Sequence, residues 1–180
     1  QKIGVLAMQY IGRQQGEDVV PLEQVIRQNK FRDQEKIDFL FKLSVLVEFI
    51  HEHNISHRDI KPPNVLVRKI NGKYYPVLID FDLAEDAFGT INSAGLGFSP
   101  GYRFQEDRSQ QKLQTDIDAM LVIFYELWTG KKMVPNPGSY SIINDQYRQE
   151  KVGEITEQLS GAKRSDKEQK KFLQALVYGL

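Results

Sequence analysis

Two stretches of the chain have the apolar spacing of buried helices. In residues 33–53 the apolar side chains cover more than one helical stripe, which predicts a helix buried in a core. Asp33 is placed to be its N-cap, and Asn54 to adopt the left-handed conformation after its last turn. Residues 116–129, DIDAMLVIFYELWT, are apolar on nearly all sides and are closed by Gly130. The pattern therefore predicts a core of at least two packed helices.

Shorter elements are predicted around these two helices. Residues 3–10 are apolar and β-prone and predict a strand, and residues 12–21 are polar and turn-rich. Residues 21–30 predict a short helix with proline in its first turn. Residues 166–178 predict a final amphipathic helix.

One β-hairpin is predicted between the two long helices. Its strands are residues 65–67 and 76–79, and the Asn71-Gly72 dipeptide between them is a strong hairpin turn signal. The second strand runs directly into the sequence IDFDLAE, residues 79–85. The predicted fold class is α+β and mainly α: a helical bundle with a small β-hairpin that carries the polar loops.

Composition narrows the class of protein. Lys plus Arg and Asp plus Glu are balanced at 24 each, and the formal net charge is zero, which argues against a general nucleic-acid or membrane-surface binder. There is no cysteine, so no disulfide, thiolate metal site or cysteine nucleophile is expected. No apolar run approaches the roughly 20 residues that span a bilayer. We expect a cytoplasmic protein without nucleic-acid or membrane partners.

The sequence HRDIKPPNVLV, residues 57–67, is the first candidate for chemistry. Its two prolines exclude a helix, because each lacks an N–H and restrains its predecessor. Asp59, Lys61 and Asn64 therefore project from an irregular turn that leads into a strand. A carboxylate, an ammonium and an amide held this closely suit phosphate and metal binding. A solvated surface turn is the alternative from these residues alone.

The order of five motifs resembles that of eukaryotic-like protein kinases. HRDIKPPNVLV and LIDFDLAE (residues 78–85) resemble the catalytic and metal loops of that family. LAMQYIG (residues 6–12) resembles the hinge, GFSPGYRFQE (residues 97–106) the substrate-docking loop, and TDIDAMLVIFYELWTG (residues 115–130) the helix that anchors the large lobe.

This resemblance implies ATP and Mg²⁺ as cofactors and gives each polar residue a role. Asp59 accepts the proton of the substrate hydroxyl, and Lys61 meets the γ-phosphate. Asn64 and Asp80 supply the hard oxygen ligands that Mg²⁺ prefers. Met8, Gln9, Ile11 and Leu66 are implied to form the adenine pocket, with Ile11 acting through its backbone.

Other residues are implied to be structural. His57 and Phe81 are expected to be buried packing residues. Asp116 is expected to accept backbone N–H groups of the catalytic loop, or to be a simple helix N-cap. Asp82 stands where the family has a glycine that adopts positive φ, a geometry that aspartate tolerates less freely.

The residues around Asp59 resemble the Ser/Thr branch of the family, through Lys61 and SPGYR (residues 99–103). Arg58 resembles the arginine of kinases that are activated by phosphorylation of a loop, for which Thr90 and Ser93 are the candidate acceptors. An unmodified loop is the alternative.

The resemblance also divides the chain. Residues 1–12 are expected to be the last small-lobe strand and the hinge, and residues 13–180 the large lobe. The expected partners are a protein substrate, ATP and the small lobe of the same parent chain, so the 180-residue chain alone is expected to transfer phosphate poorly. A small-molecule phosphotransferase of the same fold and a non-catalytic pseudokinase remain as alternatives.

Overall fold

The computed structural model describes residues 19–86, 112–134 and 145–160. Four helices, five short strands and one 3₁₀ turn occur in these ranges. In chain order they are β1 (Val19–Pro21), α1 (Leu22–Arg27), α2 (Asp33–Glu52), β2 (Ile55–Ser56), the 3₁₀ turn (Pro62–Asn64), β3 (Val65–Ile70), β4 (Lys73–Leu78), β5 (Glu85–Asp86), α3 (Lys112–Thr129) and α4 (Asp145–Ser160).

Helices α2 and α3 pack antiparallel and form the centre of the core. Lys36, near the start of α2, donates to the Trp128 carbonyl near the end of α3. His51, in the last turn of α2, contacts Asp116 near the start of α3. Residues 119–125 of α3 are buried without interruption, as its sequence predicts.

Helix α2 is buried on one face only. Leu40, Leu43 and Val47 enter the core, whereas Phe41 and Phe49 are 51% and 55% exposed. The prediction that α2 is buried around most of its girth is therefore wrong for the outer face. The spacing of apolar residues shows which side of a helix is apolar, but it does not show whether a neighbouring element covers that side.

The helix starts differ from the predictions by a few residues. Arg32 is the N-cap of α2, and its backbone N–H and guanidinium both donate to Glu35, at 2.8 Å each. Asp33 is the first helical residue, so its prediction as N-cap is wrong. Helix α3 begins at Lys112, four residues before Asp116, so the N-cap alternative for Asp116 is also wrong.

Helix α4 was not predicted from the sequence. Its sequence carries few apolar residues, and the only one fully buried among those described is Ile155. Polar contacts complete its attachment to the core: Tyr125 on α3 donates to Glu154 at 2.7 Å, and Tyr147 donates to the Met133 carbonyl. Contacts of this kind leave no hydrophobic periodicity in the sequence.

The predicted hairpin is confirmed and belongs to a larger sheet. Strands β3 and β4 pair in register from Val65 opposite Leu78 to Ile70 opposite Lys73. Asn71 and Gly72 form the turn with φ of 49° and 77°, as a two-residue turn of two left-handed residues requires.

Strand β1 pairs antiparallel with the other edge of β3, in a region predicted to be only polar and turn-rich. Strands β2 and β5 form a separate two-stranded sheet. The coarse prediction of a helical body with a small antiparallel sheet is thus confirmed.

The predicted strand at residues 3–10 and the predicted helix at residues 166–178 lie outside the described residues. Among the helices that the structure describes, none combines the length and the apolar character needed to cross a membrane.

Candidate active site

The loop that carries Asp59 is held at both ends by secondary structure. Helix α2 ends at Glu52, and Asn54 reverses the chain with φ of 58°; the prediction of a left-handed asparagine here is confirmed. Strand β2 follows, and the loop then closes through the 3₁₀ turn Pro62–Asn64 into β3. The loop therefore spans the short gap between α2 and the hairpin.

The carboxylate of Asp116, on α3, holds this loop through hydrogen bonds to its backbone. Its Oδ2 accepts the backbone N–H of His57 at 2.8 Å, and its Oδ1 accepts the backbone N–H of Arg58 at 2.7 Å. The predicted bracing of the loop by Asp116 is confirmed. Arg58 has φ of 66°, an unfavourable backbone conformation for arginine that surrounding contacts must hold.

Two further side chains reach Asp116 that sequence reasoning missed. Ser56 donates to Asp116 Oδ2 at 3.2 Å, and His51 Nε2 lies 2.9 Å from the same oxygen. Asp116 is fully buried. The contacts with Ser56 and His51 add to the hydrogen bonds that a buried carboxylate requires. The sequence feature that could have indicated these contacts is His51 itself, a histidine four residues after Val47 on the buried face of α2.

The two oxygens of the Asp59 carboxylate have different surroundings. Asp59 is only 7% exposed. Its Oδ2 accepts hydrogen bonds from Lys61 Nζ at 2.7 Å and from Asn64 Nδ2 at 2.9 Å. Its Oδ1 is buried, and within the described residues it has no hydrogen-bond partner. A buried carboxylate oxygen without a hydrogen-bond partner is costly for the fold.

The amide of Asn64 is oriented by Asp59. Asn64 Nδ2 donates both to Asp59 Oδ2 and to the Asp59 backbone oxygen, the latter at 3.0 Å. Because both amide hydrogens are used, the carboxamide oxygen is the remaining group of the side chain. The Asn64 backbone oxygen accepts the N–H of Ile79 at 3.0 Å, so the turn is fastened to the end of β4.

Asp80 follows Ile79 at the same end of the hairpin. It is exposed and has φ of 65°. The conformation expected at position 82 therefore occurs at position 80, and Asp82 does not have positive φ. Val65 pairs with Leu78, so Asn64 and Asp80 approach from the ends of neighbouring strands.

The donor chemistry fits a hard cation. The Asn64 amide oxygen and the Asp80 carboxylate are ligands of the type that Mg²⁺ accepts, and Mg²⁺ usually completes its shell with water and phosphate oxygens. No group of three or more His, Cys, Asp or Glu residues that would suit a metal occurs in the described ranges.

His57 is a packing residue. It is fully buried, and its ring lies 4.4 Å from that of Phe81 between centroids. Its Nδ1 lies 3.4 Å from the Asp59 backbone N–H, which donates to it, and its Nε2 lies 3.1 Å from the Ile79 carbonyl. Since backbone groups occupy both ring nitrogens, neither is available to a metal or a substrate.

Of the residues predicted to form the adenine pocket, Leu66 is the one that the structure describes. Leu66 lies on β3 and is half-buried, while its neighbours Val65 and Val67 are buried in the core. Alternation in the strand therefore turns Leu66 to the opposite face of the sheet. Met8, Gln9, Ile11, Thr90, Ser93 and residues 97–106 lie outside the described residues.

The sequence matches a known family over almost its whole length. The family model described as "Protein kinase domain" matches residues 2–178. The chain belongs to the protein kinase family.

Its relatives are named serine/threonine-protein kinases. It is 36% identical over 121 residues to serine/threonine-protein kinase PknA of Nostoc sp., covering 61% of this chain and 21% of the relative. It is 34% identical over 103 residues to serine/threonine-protein kinase C of Synechocystis sp., covering 52% and 19%.

The human serine/threonine-protein kinase ULK3 is 31% identical over 119 residues, covering 65% of this chain and 25% of that protein. The chain thus spans about a fifth to a quarter of the length of these relatives. The prediction of a Ser/Thr-type protein kinase is confirmed at the level of the family.

Proposed function

We propose that this chain carries the catalytic and metal-binding loops of an enzyme that transfers the γ-phosphoryl group of ATP to a Ser or Thr hydroxyl of a protein. The observation that carries the proposal is that the two oxygens of the Asp59 carboxylate have different surroundings. Lys61 and Asn64 hold one oxygen, and the other is buried without a partner among the described residues. The names of the relatives support a protein substrate.

Asp59 acts as the base in this proposal. The O–H bond of the substrate breaks, and its proton passes to Asp59 Oδ1. The hydroxyl oxygen forms a bond to the γ-phosphorus, and the bond from that phosphorus to the bridging oxygen breaks, so that ADP leaves with the electron pair. Positioning supplies much of the rate enhancement of such a transfer, and the two hydrogen bonds to Oδ2 fix the direction of Oδ1.

Charge on the phosphates is neutralised by Lys61 and by the metal site. Lys61 Nζ lies 2.7 Å from Asp59 Oδ2, so its ammonium stands beside the transferring group. Asn64, through its amide oxygen, and Asp80, through its carboxylate, would hold Mg²⁺. The cation would offset the negative charge of the phosphate oxygens.

Nucleotide binding is proposed to involve the half-buried Leu66 beneath the adenine ring, with Met8, Gln9 and Ile11 completing the pocket. From the order of the motifs, residues 1–12 are assigned to the last small-lobe strand and hinge, and residues 13–180 to the large lobe.

A chimera tests the residue roles. The segment that precedes the matched region in the Nostoc relative is fused ahead of Gln1, and transfer of labelled phosphate to a panel of Ser/Thr peptides is measured with Mg²⁺. Asp59→Asn keeps the shape of the side chain but removes the base, and is expected to lower kcat by about 10²- to 10⁴-fold. Asp33→Asn, at the exposed start of α2, is the matched control. An Asp59→Asn chimera as active as this control would contradict the proposal.

The same assay separates the alternatives. Transfer to small hydroxylated metabolites but not to peptides would indicate a small-molecule phosphotransferase. A chimera that transfers to neither, although ATP with Mg²⁺ raises its melting temperature, would indicate a pseudokinase. Robust transfer by the 180-residue chain alone, lost in Asp59→Asn, would contradict only the assignment of the lobes.

A further inference from the structure

The turn end of the β3–β4 hairpin lies beside the start of α2. The ring of Tyr74, on β4, lies 4.5 Å from that of Phe31 between centroids, and Phe31 immediately precedes the N-cap of α2. Lys69 is opposite Tyr74 in the register of the two strands, and its Nζ lies 5.5 Å from the centre of the Tyr74 ring. Paired residues share one face of a hairpin, so Lys69 lies on the side that faces the start of α2.

Two cations surround one carboxylate at this place. Glu35 accepts hydrogen bonds from the backbone N–H and the guanidinium of Arg32. These bonds lower the pKa of Glu35, and the charge of Lys69 adds to the effect. The hydrogen bond and charge of Glu35 raise the pKa of Arg32, to which Tyr74 also contributes. Arg32, Lys69 and the Tyr74 hydroxyl are therefore grouped around the Glu35 carboxylate.

Two further lysines extend the positive charge. Lys30 directly precedes Phe31, and Lys73 is the first residue of β4 at the same end of the hairpin. Both are exposed, as is Lys69, and the described residues form no ion pair with Lys30 or Lys73. We call Lys30, Arg32, Lys69 and Lys73 the hairpin-end surface.

The hairpin-end surface has an excess of positive charge. Glu35 is shared by two of its cations, and Asp33, the other carboxylate at the start of α2, lies 3.8 Å from a further cation, Lys36. The whole chain, in contrast, has a formal net charge of zero. A local excess in a neutral chain attracts an acidic partner to one place without a general attraction to polyanions. The Tyr74 hydroxyl can also donate to a carboxylate.

This surface is distant from the proposed site of transfer. Asp80 follows the opposite end of β4, seven residues after Lys73, which corresponds to roughly 20 Å at about 3.3 Å per residue. An extended chain spans that distance with about seven residues. A segment bound at the hairpin end therefore belongs to a part of the substrate that is separate from its acceptor hydroxyl.

We propose that the hairpin-end surface is a docking site for an acidic segment of the protein substrate. This role rests on the protein substrate proposed above. Carboxylates of the segment pair with Lys30, Lys69 and Lys73, and the acceptor hydroxyl reaches Asp59 through a connecting stretch of about seven residues or more. Docking raises the effective concentration of the hydroxyl at Asp59, so it strengthens substrate binding and leaves the chemical step unchanged.

Binding of an acidic peptide to the 180-residue chain tests the surface itself. The probe is a fluorescein-labelled peptide of about eight glutamates, followed by fluorescence anisotropy at about 50 mM NaCl, where charges are weakly screened. Lys30→Gln with Lys69→Gln is expected to weaken binding about tenfold. The matched control is Gln146→Glu with Gln149→Glu on the exposed side of α4, which changes the net charge equally and is expected to weaken binding less than about twofold. Circular dichroism checks that both variants fold.

Three results would overturn the proposal. The first is that the peptide does not bind, and the second is equal weakening in the two variants, because attraction would then depend on net charge alone. The third is tighter binding of a poly-uridine RNA, or of phosphatidylcholine vesicles that contain phosphatidylserine, with the same dependence on Lys30 and Lys69. The occupant would then be a nucleic acid or a membrane.

Transfer by the chimera described above separates docking from chemistry. A Ser/Thr peptide is extended at either end by the glutamate segment through a Gly/Ser linker of about 12 residues, whose mean span is roughly 20 Å. The extension is expected to lower KM about tenfold with kcat unchanged, and Lys30→Gln with Lys69→Gln to remove this gain. An unchanged KM would overturn the docking proposal. A chimera that transfers to no peptide would contradict the proposed function, while the binding measurement would still decide the docking surface.

Discussion

Asp116 Oδ1 accepts the backbone N–H of Arg58 at 2.7 Å, although 58 positions separate the two residues in the chain. The bond holds Arg58 at φ of 66°, immediately before Asp59. The backbone immediately before Asp59 is therefore held by a carboxylate on α3. Loss of this carboxylate is expected to disturb the loop rather than the helix that carries it.

Asp116→Asn is expected to lower the free energy of unfolding by about 1–3 kcal/mol, because its amide group meets a backbone N–H where an acceptor is needed. Urea unfolding followed by circular dichroism measures the change. Asp33→Asn, at the exposed start of α2, serves as the control and is expected to change stability by less than about 0.5 kcal/mol. Equal effects of the two substitutions would show that Asp116 does not brace the loop.

Asn64→Ala is expected to destabilise the chain by a similar amount, about 1–3 kcal/mol, since the buried Asp59 loses the amide donor to both its carboxylate and its carbonyl. The measurement is again urea unfolding. Gln34→Ala, on the exposed side of α2, removes a carboxamide from a solvated position and is the matched control. An unchanged midpoint for Asn64→Ala would mean that these two hydrogen bonds are not formed in solution.

The turn of the hairpin gives a test with a built-in control. Gly72 has φ of 77°, and Gly153 in α4 does not have positive φ; a Cβ at either position meets nothing within 4 Å. Gly72→Ala is expected to cost about 1 kcal/mol of stability through backbone strain alone.

Gly153→Ala is expected to stabilise the chain by up to about 1 kcal/mol, because alanine favours the helix. Thermal or urea unfolding of both variants provides the comparison. Substitutions that shift stability in the same direction would contradict the left-handed assignment of Gly72.

The attachment of α4 is expected to depend on pH at both extremes. Burial, and then the hydrogen bond to Glu154, raises the pKa of Tyr125 to about 12. Its neutral form is the one that the fold favours, so this contribution is complete below the usual tyrosine pKa near 10 and is lost as the pH rises through 12.

The hydrogen bond from Lys151, and then that from Tyr125, lowers the pKa of Glu154. Its contribution is present above its usual value of 4.5 and is lost as the pH falls through the lowered pKa. Urea midpoints across the pH range measure both effects. Tyr125→Phe is expected to reduce the fall of the urea midpoint at alkaline pH, and Glu154→Gln the fall at acid pH. An unchanged pH dependence in these variants would contradict the assignments.

The sequence by itself determined the elements that short-range chemistry specifies. The Asn71-Gly72 turn follows from the need for two left-handed residues, and the reversal at Asn54 follows from the tolerance of asparagine for the same conformation. The buried helix α3 follows from apolar residues on nearly all its sides. The site residues Asp59, Lys61 and Asn64 stood out because prolines force them onto a turn.

Tertiary structure alone decided the contacts that join distant parts of the chain. The pairing of β1 with β3, the polar attachment of α4 and the exposed side of α2 depend on which surfaces meet, and local preference carries no information about that. The same holds for the convergence of His51 and Ser56 on Asp116. These hydrogen bonds exist because the antiparallel packing of α2 and α3 brings their ends to one place, and such packing is a property of the assembled core.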